Sequence, residues 1–177
     1  MTSLFDTTRD LHHACEEHLV GGAMADGTIS KQWWADWLST LYQIHRVIDG
    51  DPELDGLSRL QELDVDLKAS PADPRYNYVT RELVKKLEES ERHRTAARYV
   101  ITGAHLMGGQ VTRKRIAGRL PSAHLHYGNR KNLVAEWSPL RERVDLTDEA
   151  REIFQYLLWI MDEMLLHDIG EGQERQS

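Results

Sequence analysis

An all-α fold is the class this sequence predicts, and three observations predict it. The five prolines sit at 52, 71, 74, 121 and 139 and leave the stretches 1–51, 75–120 and 140–177 free of proline. Helices can run there, because proline lacks the N–H donor and clashes with the preceding turn. Leu38, Leu41, Tyr42, His45 and Ile48 recur at three- and four-residue steps, as do Ile153, Tyr156, Leu157, Ile160 and Met164. Each set is the one-sided stripe of a helix packed on a core. Few segments alternate with period two, and Asp26-Gly27 separates two helical patterns rather than two β-rich runs.

The elements follow in order. A first helix covers roughly residues 4–20, and Gly21, Gly22 and Gly27 mark a break. Ser30 has the chemistry of an N-cap for a second helix running to about Asp49, which Asp51-Pro52 ends, since a residue before proline avoids the α region. Leu54, Leu57, Leu60, Leu63 and Leu67 predict another helix, and 70–74 is a loop. Residues from about 75 to 90 and from 91 to 118 read as two helices or one bent helix. The stretch 121–128 is loop, with its histidines at the surface. Thr147 caps the last helix, with Asp148 and Glu149 in the first turn, where negative charge is favoured. One helical domain is expected over 1–170, with a polar, frayed tail at 171–177.

Composition narrows the function classes. The 177 residues are 40% hydrophobic and 29% charged, a globular balance. Lys and Arg number 22 against 29 Asp and Glu, a net charge of −7. That argues against nucleic acid as a partner, because binding phosphates takes a dense basic face. No apolar run is long enough to span a membrane, and the N-terminal MTSLFDTTRDLHH lacks the pattern of a secretory signal. Cys15 is the lone cysteine and has no internal disulfide partner, so a reduced, cytoplasmic setting is expected.

Nine histidines invite a metal reading. Most read more simply as surface residues (His93, His124, His126 and His167) or as a bonded core residue (His45). No His-x-x-Glu-His or Cys-x-x-Cys pattern occurs. Two features stand out. Phe5, Arg9, His12 and Glu16 lie on one face of the first helix at steps of four, three and four. An axial histidine needs one ring nitrogen free for a metal and an acceptor for the other, and Glu16 is one turn away. A solvated charged face with an i,i+4 Glu–His pair reads the same spacing. Gly103, Gly108 and Gly109 interrupt an otherwise helical pattern. Each glycine costs a helix interior about 0.5–1 kcal/mol relative to alanine, and bare backbone admits either a flat ligand or a close-packed neighbour.

Together these segments resemble a family. LHHACEEHLVGGAMADGTIS followed by LYQIH resembles the first two helices of haem oxygenases, with His12 and Glu16 on the H-x-x-A-E-like motif and Cys15 in the alanine place. RYVITGAHLMGGQVTRKRIAG resembles that family's distal helix. The resemblance implies an all-helical single-domain fold with haem b, both cofactor and substrate, held between the first helix and a kinked distal helix. His12 would be the proximal iron ligand, Glu16 its hydrogen-bond partner, Arg9 and Tyr99 propionate contacts, and Gly103, Gly108 and Gly109 the platform. The implied reaction is cleavage of haem to biliverdin, carbon monoxide and ferrous iron, using dioxygen and electrons from a ferredoxin, flavodoxin or other reductase. His105 stands where many members carry a distal aspartate, which makes it a water-ordering catalytic residue, a peroxidase-like acid or a second iron ligand, or else a partly buried polar residue with its ring turned away from the haem. A non-catalytic haem-binding protein is the alternative, with bis-His or His/water ligation. A third reading, a haem-free di-iron oxidase or thiamin-type hydrolase, leaves the glycines without a purpose.

Three further expectations complete the reading. Arg113, Lys114, Arg115 and Arg119 form a basic patch, either a docking face for an acidic electron donor or a solvated helix face. Arg141 and Arg143 are candidates for a second propionate contact or an exposed charged turn. Of Trp33, Trp34 and Trp37, one packs inside and another is exposed or meets a second copy of the chain.

Overall fold

A computed structural model describes residues 2–49 and 56–174. It is helical throughout, with no strand among the described residues. The α-helical elements are α1 (Leu4–Glu17), α2 (Leu19–Asp26), α3 (Lys31–Ile48), α4 (Leu60–Lys68), α5 (Tyr78–Glu89), α6 (Glu91–Ala97), α7 (Gly103–Met107), α8 (Gly109–Ile116), α9 (Arg130–Trp137) and α10 (Thr147–Glu174). A π-helical stretch, Arg98–Thr102, joins α6 to α7, and a 3₁₀ turn, Ala123–Leu125, follows α8.

Local chemistry starts most of these helices. Ser3 and Asp6 form a reciprocal capping box on α1. Ser30 Oγ accepts from the Trp33 N–H at 3.1 Å, the cap its sequence position predicts. Asn77 Oδ1 accepts from Thr80 at 2.7 Å, and Ser90 caps α6, which splits α5 from α6.

Burial then assembles the helices. α3 lies against α4 and α5, and α10 runs the length of the molecule against α1, α5 and α6. Of the predicted stripes, Leu38, Leu41, His45 and Ile48 of α3 and Ile153, Leu157, Ile160 and Met164 of α10 are buried, while Tyr42 and Tyr156 are half-buried at the edge of the core. Two polar ties fix the stack. Arg75 donates to Asp36 through its backbone N–H (2.7 Å), Nε (2.8 Å) and Nη2 (2.7 Å), with Asp36 itself only 3% exposed. Glu152 of α10 accepts from Lys86 of α5 and pairs with His93 of α6.

Several expectations change. The first break falls at His18, not at the glycines: His18 is extended, its Nδ1 caps Val20, and Gly21 and Gly22 lie inside α2. A Cβ on Gly21 would fall 1.9 Å from the Cys15 carbonyl oxygen, so Gly21 permits a close approach of α2 to the end of α1. Gly27, with φ 72°, ends α2. The helix predicted from Leu54 starts at Leu60, and Leu54 itself lies outside the described residues. The last helix continues past Gly170 to Glu174, within the predicted frayed tail. Helix α9 carries no sequence pattern strong enough to predict it. Trp34 is buried, with its Nε1 donating to the Pro121 carbonyl at 2.8 Å, while Trp33 and Trp37 are half-buried against the core, so none of the three is exposed.

A candidate haem-binding cleft

The α1–α2 arm runs alongside the stretch from Arg98 to Ile116, and it is tied down at both ends. At one end Tyr99 is buried, its ring parallel to Trp137 (centroids 5.6 Å apart), and its hydroxyl meets Thr8. Burial raises the Tyr99 pKa against the opposing Thr8 hydrogen bond, so the phenol stays neutral. At the other end Arg115 reaches the Ala25 carbonyl and Asp26, and Arg119 donates to the carbonyls of Gly27 (2.9 Å) and Ile29 (3.2 Å). Between these ties lies on the order of 25 Å of helix on each side.

On the α1 side this interval carries His12 and Glu16. The His12 side chain is 39% exposed, with the rings of Phe5 and Phe154 in edge-to-face contact at centroid distances of 5.9 and 6.0 Å. Its Nδ1 is 3.7 Å from Glu16 Oε2, an ion-pair distance rather than a hydrogen bond. His13, on the neighbouring face, lies equally close to Glu16 and 3.0 Å from Glu17. Arg9 is exposed, stacked over Phe5 and 3.8 Å from Asp6.

On the other side, Ala104, Met107, Gly108 and Val111 form the exposed face of α7 and α8. Met107 and Val111 are each half exposed although apolar. The interval between these two faces is the candidate site. A groove of about 130 Å³ lined by Gln43, Arg46, Val47, Val84 and Glu88 lies elsewhere and is too small for a porphyrin.

The three glycines divide. A Cβ on Gly103 would come within 2.4 Å of the Trp137 ring, and one on Gly109 within 3.0 Å of Leu125 Cδ2. Both are packing glycines, the close-packed alternative that bare backbone admits. Gly108 is the open one: a Cβ there would meet only the Ala104 carbonyl, at 3.2 Å.

His105 also turns elsewhere. It points into the interior, with its ring near His45 (5.9 Å between centroids) and His124 (5.3 Å). Burial first, then the charges of His124, His45 and Arg59, hold its pKa well below the usual histidine range. It is therefore neutral and turned into the interior, the second of the two placements its sequence position allows. His124, expected at the surface, is fully buried: Asp66 accepts from its Nδ1 at 2.6 Å and from its backbone N–H at 2.9 Å.

Tertiary neighbours supply what the sequence did not signal. Phe154 packs edge-on against His12, Thr8 meets the Tyr99 hydroxyl, and Arg141 is exposed and close enough to act on Tyr99. Arg143 instead closes on Asp145 at 2.8 and 2.9 Å.

Solved structures resemble this arrangement over nearly the whole chain. A haem oxygenase-1 from the cyanobacterium Synechocystis, crystallised in complex with haem, matches with a TM-score of 0.79 at 15% identity, covering 98% of this chain and 96% of that one. The fold is that of the haem oxygenases. A haem oxygenase from Leptospira interrogans matches at 0.75 with 16% identity, covering 90% of this chain and 97% of that one. Haem oxygenase 2 from Chlamydomonas reinhardtii, solved without haem, matches at 0.71 with 17% identity, covering 90% and 94%. No family model matches the sequence, and no curated protein matches it significantly. Within this haem oxygenase fold, no helix among the described residues is long and apolar enough to cross a membrane.

Proposed function

We propose that the protein binds haem b in the cleft between α1 and α7–α8 and cleaves it oxidatively to biliverdin, carbon monoxide and ferrous iron. What supports this reading is the haem oxygenase fold, together with a part-exposed imidazole, His12, on α1 and an exposed apolar stretch of α7–α8 in which Gly108 has no side chain. The fit is chemical. His12 Nδ1 lies toward Glu16, which leaves Nε2 as the ligand atom; Phe5 and Phe154 restrain the ring by its edges. Met107 and Val111 supply apolar surface beside the place where a side chain is missing. Arg9 is exposed and held only by a 3.8 Å pair with Asp6 and the Phe5 face, and a guanidinium suits a propionate carboxylate well. Arg141, beside buried Tyr99, is a better second candidate than Arg143, which Asp145 already holds.

Bound haem supplies the iron at which dioxygen and external electrons react, and it is itself the substrate. The chain's own part is to ligate, position and exclude. The exposed residues Ala104, Met107, Gly108 and Val111 include no histidine or carboxylate, so this stretch would offer bound haem apolar contact and main-chain groups rather than an acid side chain. His105 neither ligates iron nor delivers a proton there, and nothing favours the bis-histidine storage reading. Arg113 and Lys114 remain as a basic surface for an acidic electron donor, since Arg115 and Arg119 are engaged with the α2–α3 junction.

The test is a haemin titration followed by single turnover under air with a ferredoxin and its reductase, with the product identified by chromatography. One equivalent of haemin bound and biliverdin formed is the expected result. Haem bound but returned intact, or no binding at micromolar haemin, refutes the proposal.

A further inference from the structure

Three imidazoles meet in the interior: His45 of α3, His105 of α7 and His124 of the 3₁₀ turn. Ring centroids are 5.9 Å apart for His45 and His105 and 5.3 Å apart for His105 and His124. The side chains of His45 and His124 are fully buried, and His105 is 7% exposed. Two of the rings have a carboxylate. His45 Nδ1 is 2.8 Å from Asp49 Oδ1, and His124 Nδ1 is 2.6 Å from Asp66 Oδ2. No carboxylate among the described residues bonds to His105, whose Nδ1 is sealed from solvent without a partner. His45 Nε2, His124 Nε2, Arg59 Nε and the Tyr127 hydroxyl are sealed in the same way.

The charges around this layer keep it neutral. Arg59 brings a cation close to His105 and His124, stacked 4.0 Å over the Tyr127 ring and paired with Glu62 at 3.1 Å. Burial lowers the His124 pKa as it does that of His105, against the pull of Asp66. Asp49 and Asp66 face the layer, but their oxygens are shared. Asp49 Oδ2 also accepts from Ser58 Oγ and from the Arg59 and Leu60 N–H groups, and Asp66 from those of Ala123 and His124. On the other packed elements, Arg98 Nε donates to the Ile48 carbonyl at 2.8 Å and Arg130 Nε to the Leu106 carbonyl at 2.7 Å. A proton added to any of the three rings makes an imidazolium near Arg59, in a place water does not reach, and on His105 it meets no carboxylate.

The layer holds one piece of chain in place. Asp66 fastens the start of the 3₁₀ turn, and Trp34 Nε1 holds the Pro121 carbonyl at 2.8 Å. From the other side Gln110 donates to the Leu125 carbonyl, and Leu125 packs against Gly109. The segment 121–127 therefore backs α7–α8.

We propose that the three imidazoles are an acid latch, which holds segment 121–127 behind α7–α8 while they are neutral and releases it when they take up protons. In the released state the rings are hydrated and titrate as ordinary histidines, near pH ~6.5. The closed state is favoured above that value and gives way as pH falls below it. The opening equilibrium grows about tenfold per pH unit for each proton gained. The latch belongs to the haem-free chain and does not depend on what the cleft binds.

Hydrogen exchange of the ¹⁵N-labelled, haem-free full chain, followed by NMR from about pH 7.5 to about pH 5, tests it. Protection factors, corrected for the intrinsic pH dependence of exchange, are read at the Ala123 and His124 amides, whose bonds to Asp66 break on release. The Ile160 amide, in buried α10, reports global unfolding. Protection at Ala123 and His124 should fall about 10–100-fold per pH unit below pH ~6.5, with Ile160 unchanged. His105→Gln has one titrating ring fewer and should cut that slope about tenfold per pH unit, while His13→Ala, a surface control, keeps the wild-type slope. If His105→Gln does not fold, the ring ¹⁵N shifts of the wild type decide: His105 should become charged only over the pH range in which the turn opens. Protection independent of pH, an equal fall at Ile160, an unaltered slope in His105→Gln, or a charged His105 with the turn still protected would overturn the latch.

Discussion

Replacing each of the three glycines of the distal segment by alanine separates packing from ligand contact. At Gly103 the new methyl would sit 2.4 Å from the Trp137 ring, far inside contact distance. That indole cannot swing away: it stacks on Tyr99 and donates from Nε1 to the Tyr99 carbonyl at 3.2 Å. Overpacking of this kind costs about 1–3 kcal/mol. At Gly109 the methyl meets the end of the Leu125 side chain at 3.0 Å, which can shift by a few tenths of an ångström, so the loss is smaller, about 0.5–1.5 kcal/mol. At Gly108 the backbone is right-handed helical (φ −96°, ψ −29°), and the methyl meets only the Ala104 carbonyl, at 3.2 Å. The gain from replacing a helical glycine offsets that contact, leaving stability within about 0.5 kcal/mol of wild type. Urea unfolding of the haem-free proteins should therefore rank Gly103→Ala below Gly109→Ala below wild type, with Gly108→Ala alongside wild type. Haemin titration should give a different order, with Gly108→Leu losing affinity at unchanged stability. A Gly108→Ala protein as unstable as Gly103→Ala, or a Gly108→Leu protein that binds haemin like wild type, would refute the assignment of Gly108 to the ligand face.

Three further outcomes follow from the same structure. Asp36→Ala removes the buried acceptor of Arg75, which keeps Asp168 at 2.6 Å, and should cost about 1–3 kcal/mol in urea unfolding; no measurable loss would mean the pair is not the tie described. Burial, with a smaller push from Glu16, raises the Cys15 thiol to about 12, so iodoacetamide at pH 8 should label the native protein on the order of 10³-fold more slowly than the unfolded chain; equal rates would contradict its burial. Burial raises the Glu152 pKa, but hydrogen bonds from Lys86 and His93 more than offset this and leave it below the ordinary value. Its contribution is then full above about pH 4.5 and lost as pH falls below that, and on a partly exposed group it amounts to less than about 1 kcal/mol. Glu152→Gln should thus lower the urea midpoint at pH 7 and change it little at pH 3, and the opposite pattern would reverse the sign.

What the sequence made legible was whatever is local. The stripes of α3 and α10, the caps at Ser30 and the break at Ser90 are short-range chemistry, and the helices form where that chemistry places them. His12 and the glycine-rich distal segment are legible as motifs, which is why the haem oxygenase resemblance could be stated before any fold was known. What each glycine faces is not local. Trp137 arrives from α9, which has no sequence signature, and Leu125 from a stretch read as plain loop. The same loop hid His124: its partner Asp66 is 58 positions away, and nothing near either residue announces the pair. His18 breaks the first helix where the glycines were expected to, because Gly21 is needed for contact with Cys15 rather than for flexibility.

The account rests on His12 being the protein's bond to haem iron. Resonance Raman of the ferrous haem complex, with and without ¹⁵N-histidine labelling, reads that bond directly through its iron–nitrogen stretch. A label-sensitive stretch in wild type that vanishes in His12→Ala and returns when imidazole is added is the result expected. The same band surviving in His12→Ala would place the iron on another residue and contradict the assignment.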